Sequence, residues 1–216
     1  RQHIKGSISK AAYQSRHIKA GISRVGRWIL LVRRALACYV TPSVTVGSQS
    51  GLPATAGRRM MITETDLAEA RAAWGNGLIA ISIAYDEKGI EGARAVAGDI
   101  LDALYGFALG PILFKPTLSG GAQTFRTDRD GTLSYFIGHD PAYPQDTGFG
   151  LRSWREVGSE TSSFFVQGDV AMWMGWVTFT SKDGDVVKVD KSFGYRRAAD
   201  GSLKLVLHHS SLPYTA

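Results

Sequence analysis

The last apolar stretch of the chain ends in two histidines followed by two serines. Residues 203–214 read L-K-L-V-L-H-H-S-S-L-P-Y, and the alternation of apolar and polar positions predicts a β-strand that stops before the proline. Successive side chains of a strand point to opposite faces. We therefore expect His208 and Ser210 on one face and His209 with the leucines on the other. Imidazole and hydroxyl groups at the rim of a core indicate a polar site, although a solvated strand end has the same composition.

Few residues in the sequence could hold a metal ion. From residue 62 onward the histidines are His139, His208 and His209, and the single cysteine of the chain is Cys38. Adjacent histidines on a strand point apart and cannot share one ion without distortion. There is no H-E-x-x-H motif. The sequence therefore disfavours a catalytic zinc and excludes a disulfide within one chain.

The serines and histidines do not fit a serine hydrolase either. The nucleophile of an α/β-hydrolase lies in a G-x-S-x-G turn between a strand and a helix, whereas Ser210 and Ser211 end a strand. Gly120 and Gly121 have no lysine at the spacing of a phosphate-binding loop. What remains is a pocket of hydroxyl and imidazole groups, which suits a small planar substrate held by several hydrogen bonds. The alternative is that these groups are satisfied polar residues of the core.

The positive net charge of the chain is confined to its first part. The whole sequence carries a formal charge of +6, but residues 1–61 contain 11 Lys and Arg and no Asp or Glu. From residue 62 onward, 14 basic residues face 19 acidic ones, which gives a net charge of −5. This mildly acidic part has no electrostatic footprint for nucleic acid. No apolar run is long enough to span a bilayer, so neither nucleic acid nor a membrane is an expected partner.

Residues 1–61 do not resemble part of a folded domain, and three interpretations are open. They could be an organelle targeting peptide, which has this basic and acid-poor composition, or a nucleic-acid-binding arm. The third interpretation, which we favour, is an upstream segment that is not native protein, since Met60 and Met61 stand just before the first helix signal. The predicted domain is residues 62–216. We expect a bacterial cytoplasmic location, or a plastid or mitochondrion if the extension is a transit peptide.

Helices precede strands in the predicted domain. Thr63, followed by acidic residues, predicts a helix start, and apolar residues three and four apart predict a helix that breaks at Lys88-Gly89. A second helix is predicted from about Glu91, and the two suggest a hairpin laid on a sheet. We predict strands at 112–118, 124–126, 151–157, 163–167 (or a continuation of the preceding strand), 170–181, 186–197 and 203–210, and a short helix at 130–138. Pro116 places the first strand at an edge or kinks it. The order is typical of an α+β fold with helices on one face of an antiparallel sheet.

Five motifs, taken together and in this order, resemble the iota class of carbonic anhydrases. They are G-P-I-L-F-K-P-T-L (110–118), Q-T-F-R (123–126), G-T-L-S-Y-F-I-G (131–138), V-D-K-S-F-G-Y (189–195) and L-H-H-S-S-L-P-Y (207–214). This class belongs to the family related to the association domain of calcium/calmodulin-dependent kinase II, within the nuclear-transport-factor-2-like fold. The resemblance covers about residues 64–214 and leaves out residues 1–61.

The resemblance implies a fold, a reaction and an assembly. The fold is a cone formed by a bent antiparallel sheet wrapped against N-terminal helices. The reaction is the reversible hydration of carbon dioxide to bicarbonate, and the subunits pair as homodimers. The resemblance also implies that no metal cofactor is needed, with manganese or zinc as the exception, and the low histidine count fits a metal-free member.

The family's substrate-binding hydroxyls correspond to three residues of this sequence. They are Thr117 in K-P-T, Tyr135 in the short helix and Ser210 after the paired histidines. The strand-face count adds His208 as the preferred base that takes the proton from water, with Tyr135 as the alternative. Further candidates for the pocket are Lys115, His209, Phe193 and Tyr195, and His209 is expected to face the other side of the strand or a dimer interface.

Two other functions remain open from the sequence. One is a non-catalytic association or small-ligand-binding module of the same fold, because a fold by itself does not establish catalysis. The other is a small isomerase or cyclase, which would need an aspartate base deep in an apolar pocket. The candidates for that base are Asp99 and Asp102, both in a predicted helix and expected to be solvated.

Overall fold

A computed structural model describes residues 61–215 of the chain. The interpretations of the basic extension concern residues outside this range, apart from Met61, and so does Cys38. The described elements, in chain order, are α1 (Glu64–Leu104), β1 (Leu113–Lys115), α2 (Arg129–Ile137), β2 (Trp154–Gln167), β3 (Val170–Ser181), β4 (Val186–Arg197) and β5 (Leu203–Ser211), with single 3₁₀ turns at Phe107–Leu109, Gly121–Gln123 and Phe149–Leu151. Within residues 61–215, no helix is long and apolar enough to cross a membrane.

The first helix begins and breaks where the sequence predicts. Thr63 caps α1 by accepting a hydrogen bond from the Asp66 amide at 3.1 Å, while the Asp66 carboxylate accepts from the Thr63 amide at 2.9 Å. This reciprocal pair satisfies two of the free amides of a helix start. Gly89 leaves the helical conformation with φ 67° and ψ −162°, a region that favours glycine. The break lets the two halves of α1 follow different directions.

The sheet has five strands in the order β1-β5-β4-β3-β2. The four long strands pair antiparallel, as predicted, and the α+β prediction is confirmed. The short β1 lies at the edge and pairs parallel with β5, so the sheet is mixed rather than wholly antiparallel. The strand predicted at 112–118 was too long, because Pro116 cannot donate to a ladder, and the strand predicted at 124–126 is a single bridge between Arg126 and Phe114.

The last strand departs from the regular alternation that the sequence analysis assumed. Gly194 of β4 pairs with Leu207, and the next residue, Tyr195, pairs with Leu205, which leaves Val206 as an extra residue in a β-bulge. Leu205, His208 and Ser210 are therefore all buried on the same side of β5. The prediction that His208 and Ser210 share a face is right, but the prediction that Leu205 lies on the other face is wrong.

The core lies between α1 and the inner face of the sheet and is rich in aromatic rings. Trp74 of α1 contacts Phe179 of β3 and Phe193 of β4, with ring centroids 6.2 Å and 5.4 Å apart. Tilted and edge-on ring pairs of this kind add to the area term of burial. Phe114 of β1 reaches the same layer and stacks on Phe136 of α2 at 6.2 Å. These ring pairs join α1 to β3 and β4, and α2 to β1.

A buried ion pair fastens the long loop after α2. Arg126 is 2% exposed and its Nη2 lies 2.9 Å from the Asp146 carboxylate, which is 4% exposed. The guanidinium also stacks on Tyr143 at 4.7 Å, and Ser134 of α2 donates to the same carboxylate at 2.7 Å. Because the backbone of Arg126 also pairs with Phe114, this ion pair connects the loop to β1.

Candidate active site

Two of the predicted hydroxyl residues are in direct contact. Thr117 donates a hydrogen bond to the Ser210 hydroxyl at 2.6 Å, and Ser210 in turn donates to the backbone carbonyl of Asp190 at 3.3 Å. The parallel pairing of Lys115 with His209 brings the residues after β1 beside the end of β5. Ser210 is fully buried and Thr117 is half-buried, so the pair lies at the boundary between core and solvent.

Tyr135 completes this group from α2. Asp128 caps α2 by accepting from the Gly131 amide at 2.8 Å, and the phenol then stacks on Phe149 at 5.6 Å and meets the Phe114 ring edge-on at 5.5 Å. The Tyr135 hydroxyl is buried and makes no hydrogen bond of good geometry to any described residue. Burial raises the pKa of Tyr135 to about 12, although the nearby Thr117 hydroxyl opposes the rise. We call Thr117, Tyr135 and Ser210 the hydroxyl cluster.

His208 is buried beside the hydroxyl cluster, and both of its ring nitrogens are engaged. Nδ1 lies 2.9 Å from the Tyr105 hydroxyl, and Nε2 lies 2.9 Å from the Nζ atom of Lys191. The imidazole stacks on Phe114 with ring centroids 4.4 Å apart. Burial, with a further contribution from Lys191, holds the pKa of His208 well below 6.5. The imidazole is therefore neutral at neutral pH, which fits a proton acceptor, but its nitrogens are reached only through their partners.

Sequence reasoning missed Lys191, Tyr105 and Trp74. Lys191 is buried on the inner face of β4, and Trp74 donates from its indole to the Tyr105 hydroxyl at 3.1 Å. One signal for Lys191 was present, because it occupies the inward position of the alternating run Val189, Lys191, Phe193. A lysine in an apolar register is unusual and marks a special environment. Nothing in the sequence joins Tyr105, at the end of α1, to His208.

The remaining predicted pocket residues lie in different places. Lys115 donates from Nζ to the Ser210 carbonyl at 2.9 Å and so borders the hydroxyl cluster. Phe193 packs 4.9 Å from the His208 ring. His209 is half-buried on the opposite face of β5. Tyr195 is buried, and its hydroxyl has no hydrogen-bond partner among residues 61–215. The contacts of Tyr195 are with Phe193 and, electrostatically, Arg71, away from the hydroxyl cluster.

The structure does not support an aspartate base of the isomerase type. Asp99 is exposed, and Asp102 is paired with Arg129 at 2.7 Å with 59% of its side chain exposed. In the described part of the chain, no three His, Cys, Asp or Glu side chains come together as a group that could hold a metal ion. A cleft of about 420 Å³ lies on the outer side of α2 and is lined by Arg94, Asp128, Asp130, Leu133, Ser134, Asp140, Ala142 and Tyr143. None of the predicted site residues lines it.

Comparison with known proteins shows the family to which this chain belongs. The model of the family described as metal-independent carbonic anhydrase matches residues 65–212, which is more than half of the chain. The chain belongs to the metal-independent carbonic anhydrase family. The activity and class that the motifs implied, carbonic anhydrase of the iota class, are confirmed.

Two similar proteins support this membership. A metal-independent carbonic anhydrase from Nostoc sp. (strain PCC 7120) is 46% identical over 153 residues, which are 71% of this chain and 75% of that relative. A crystal structure of the iota-carbonic anhydrase from a cyanobacterium, complexed with bicarbonate, is 44% identical, with a TM-score of 0.73, over 76% of this chain and all of that chain.

The comparison also finds more distant structural neighbours. An NTF2-like protein of unknown function from Pseudomonas putida is 15% identical, with a TM-score of 0.42, over 72% of this chain and 92% of that chain. A likeness this low carries no argument about function.

Proposed function

We propose that the protein hydrates carbon dioxide at the hydroxyl cluster, with Thr117, Tyr135 and Ser210 holding the oxygens of bicarbonate. The observation that carries this proposal is the contact of Thr117 with Ser210 at 2.6 Å beside a buried Tyr135 hydroxyl that makes no hydrogen bond of good geometry within residues 61–215. A buried hydroxyl left unpaired is unfavourable, and an oxyanion is an acceptor that would satisfy it. The 44% identical relative was solved with bicarbonate, which supports an oxyanion as the occupant.

The three hydroxyls can serve both sides of the reaction. A hydroxyl both donates and accepts, so the cluster can hold a water against neutral carbon dioxide and then donate to the anionic product. Because the pKa of Tyr135 is raised to about 12, Tyr135 keeps its proton at neutral pH and acts as a donor. The alternative in which Tyr135 is the base is therefore disfavoured, and His208 stays the preferred base. Holding water and carbon dioxide together supplies a proximity effect.

Catalysis in this family is described as metal-independent, and the side chains of this cluster suit that chemistry. Hydroxyl donors stabilise charge as it develops on the carbon dioxide oxygens, and a neutral imidazole assists by accepting a proton. No group here lowers the pKa of a bound water in the way a zinc ion does. We therefore expect a slower hydration rate than that of zinc carbonic anhydrases, unchanged by a chelator.

The assembly that the resemblance implies, a homodimer, has a candidate surface on the outer face of the sheet. Phe165, Met172, Met174 and Trp176 are all exposed, and Phe165 pairs with Met172 across β2 and β3. Adjacent exposed apolar side chains of this kind are typical of interaction surfaces. Sedimentation of the parent and of a Met172→Glu, Met174→Glu double variant tests this assignment, because a monomeric parent contradicts it. The expected cytoplasmic location depends on residues outside the described range and stays a prediction.

The hydroxyl cluster is tested by removing single oxygen atoms. Ser210→Ala and Tyr135→Phe are each expected to lower kcat/KM for carbon dioxide hydration by about 10²–10³-fold, the usual loss for one oxyanion donor. Ser211→Ala and Tyr143→Phe are matched controls, since they remove the same atoms outside the cluster. The measurement is stopped-flow hydration with and without chelator, together with thermal unfolding of each variant. Parent-like rates in both Ser210→Ala and Tyr135→Phe would overturn the proposal.

A further inference from the structure

Lys191 is a buried lysine without a carboxylate partner. Its side chain is 3% exposed, and Nζ lies 4.8 Å from the centre of the Trp74 ring. Among residues 61–215, no Asp or Glu lies within ion-pair distance of Lys191. A buried ammonium without a counter-ion is strongly disfavoured. Burial accordingly lowers the pKa of Lys191 to about 7, with Lys115 adding to the effect and Asp190 opposing it.

The hydrogen bonds around His208 define where the protons are when Lys191 is neutral. The Trp74 indole can only donate, so the Tyr105 oxygen accepts from it. Burial raises the pKa of Tyr105, so Tyr105 keeps its own proton and donates it to Nδ1 of His208. A neutral imidazole that accepts at Nδ1 carries its proton on Nε2. That proton points to the Lys191 amine, which accepts it through its lone pair.

The same contacts also fit a second arrangement of hydrogen bonds, which holds one more proton. When Lys191 is an ammonium, it donates to Nε2 of His208, and the imidazole carries its proton on Nδ1 instead. The two arrangements differ by one proton and by the tautomer of His208, with no change in the positions of heavy atoms. Tyr105, His208 and Lys191, joined by these hydrogen bonds, can therefore hold one extra proton and release it again. We call these three residues the proton store.

This proton store lies directly beside the hydroxyl cluster. Lys191 on β4 is the direct partner of Ser210 on β5, and His208 is on the same buried face two residues before Ser210. The Phe114 ring contacts both His208 and Tyr135.

We propose that Lys191 takes up the proton that hydration of carbon dioxide releases. The proposal rests on the location of the reaction at the hydroxyl cluster. A water oxygen forms a bond to carbon and loses one proton. The hydrogen-bonded group of Tyr105, His208 and Lys191 gains one proton, so that Lys191 becomes an ammonium and His208 carries its proton on Nδ1. The products are bicarbonate and an ammonium, so every atom and charge is accounted for, and the reverse steps dehydrate bicarbonate.

The transfer keeps the net charge of the site constant. Carbon dioxide is neutral and meets a neutral amine, whereas bicarbonate is an anion and meets an ammonium, which attracts it in a medium of low dielectric. The titratable and charged groups that face Lys191 are Asp190 on its own strand, Lys115 at the end of β1, His208 on β5 and, through His208, Tyr105 at the end of α1. The Phe179 side chain of β3 that faces Lys191 carries no charge.

The decisive variants are Lys191→Met and Lys191→Arg. Methionine has no proton to exchange, and arginine keeps the positive charge and the donor to Nε2 but does not lose its proton. Both are expected to lower kcat for hydration at pH 8 by about 10²–10⁴-fold, the range of a positioned base. The parent rate should rise as the pH is raised through about 7, because Lys191 loses its proton there. This rise, the pH limb of the rate profile, should be absent in both variants. Lys182→Met, an exposed lysine of the β3–β4 turn, is the control.

A structural role for Lys191 gives different results. If Lys191 only anchors His208, then Lys191→Arg retains activity within about threefold, and that outcome overturns the proposal. A second measurement uses the parent protein alone, so it does not depend on whether a variant folds. Calorimetry of bicarbonate binding at pH 8.5, in two buffers with different ionisation enthalpies, should show uptake of nearly one proton per anion by the parent. Uptake of no proton by the parent also overturns the proposal.

The proposal and the location of the reaction can fail separately. If Ser210→Ala and Tyr135→Phe keep full activity while both Lys191 variants lose the pH limb, then the hydroxyl cluster is wrong and the proton store stands. If the hydroxyl variants lose activity while Lys191→Arg matches the parent at every pH, then the cluster stands and the proton store is wrong.

Discussion

The hydroxyl oxygens of Thr117 and Ser210 lie 2.6 Å apart, although 93 residues separate them in the chain. This contact depends on the parallel pairing of β1 with β5, in which Lys115 lies opposite His209. Parallel strands run in the same direction, so the residues that follow each strand leave the sheet at the same end of the strands. An antiparallel β1 would carry Thr117 to the opposite end of β5. The short edge strand therefore matters more for the site than its length suggests.

A pair of substitutions at Thr117 separates its hydroxyl from its shape. Thr117→Val keeps the volume and removes the oxygen, and we expect kcat/KM for carbon dioxide hydration to fall by about 10²–10³-fold because one oxyanion donor is lost. Thr117→Ser keeps the oxygen and should stay within about fivefold of the parent. Stopped-flow assays measure both. Parent-like activity in Thr117→Val together with a large loss in Thr117→Ser would mean that the methyl group, not the hydroxyl, is what the site requires.

The helices, the long hairpins and the turn positions could be predicted because each has a local cause. Thr63 caps its helix with its own neighbour Asp66, and Gly89 breaks α1 at a conformation that glycine favours. The strand alternation pointed to Ser210, but Thr117 and Tyr135 could be named only from the motif resemblance, because composition does not show that Thr117 meets Ser210. Local patterns carry information about neighbours in the chain, not about pairings of distant segments.

What the sequence could not show depends on tertiary pairing. The bulge at Val206 moves Leu205 to the same side as His208, and no feature of the run L-K-L-V-L-H-H predicts an extra residue against Gly194. The contact between Lys191 and His208 likewise follows from the register of β4 against β5. A shift of one residue in that register would place Lys191 on the other face of the sheet.

The buried lysine should make stability depend on pH. Burial lowers the pKa of Lys191 from 10.5 to about 7, so between these values the unfolded chain binds a proton that the folded protein does not. The free energy of unfolding therefore rises with pH across this window, by up to about 5 kcal/mol. Urea denaturation from pH 7 to 9.5 measures this slope. The slope should disappear in Lys191→Met and persist in Lys182→Met; an equally steep slope in Lys191→Met would contradict the assignment.

Removing the Asp146 carboxylate should destabilise the fold strongly. Asp146→Ala leaves the Arg126 guanidinium buried and without an ion-pair partner among residues 61–215, where its Nε and Nη1 atoms already lack partners. Loss of one partner of a buried ion pair costs about 3–5 kcal/mol. Asp102→Ala is the control, because the Asp102 pair with Arg129 is exposed and such pairs contribute about 0–1 kcal/mol. Urea denaturation of the two variants compares them directly, and equal losses would show that burial does not decide the effect.

Gly175 allows the backbone of β2 to approach β3 closely. A Cβ atom at this position would lie 2.0 Å from the Glu160 carbonyl oxygen and 2.7 Å from the Trp173 ring, and the backbone oxygen cannot move without opening the β2–β3 ladder. Ser162 is the extra residue of β2 at this point, so the bend and the glycine occur together. We expect Gly175→Ala to lower stability by about 1–3 kcal/mol or more, as overpacking does. Gly158→Ala in β2 is the matched control, because a Cβ there meets no atom within 4 Å. Thermal unfolding of both variants measures the difference, and a Gly175→Ala protein as stable as Gly158→Ala would show that β2 does not need this close approach.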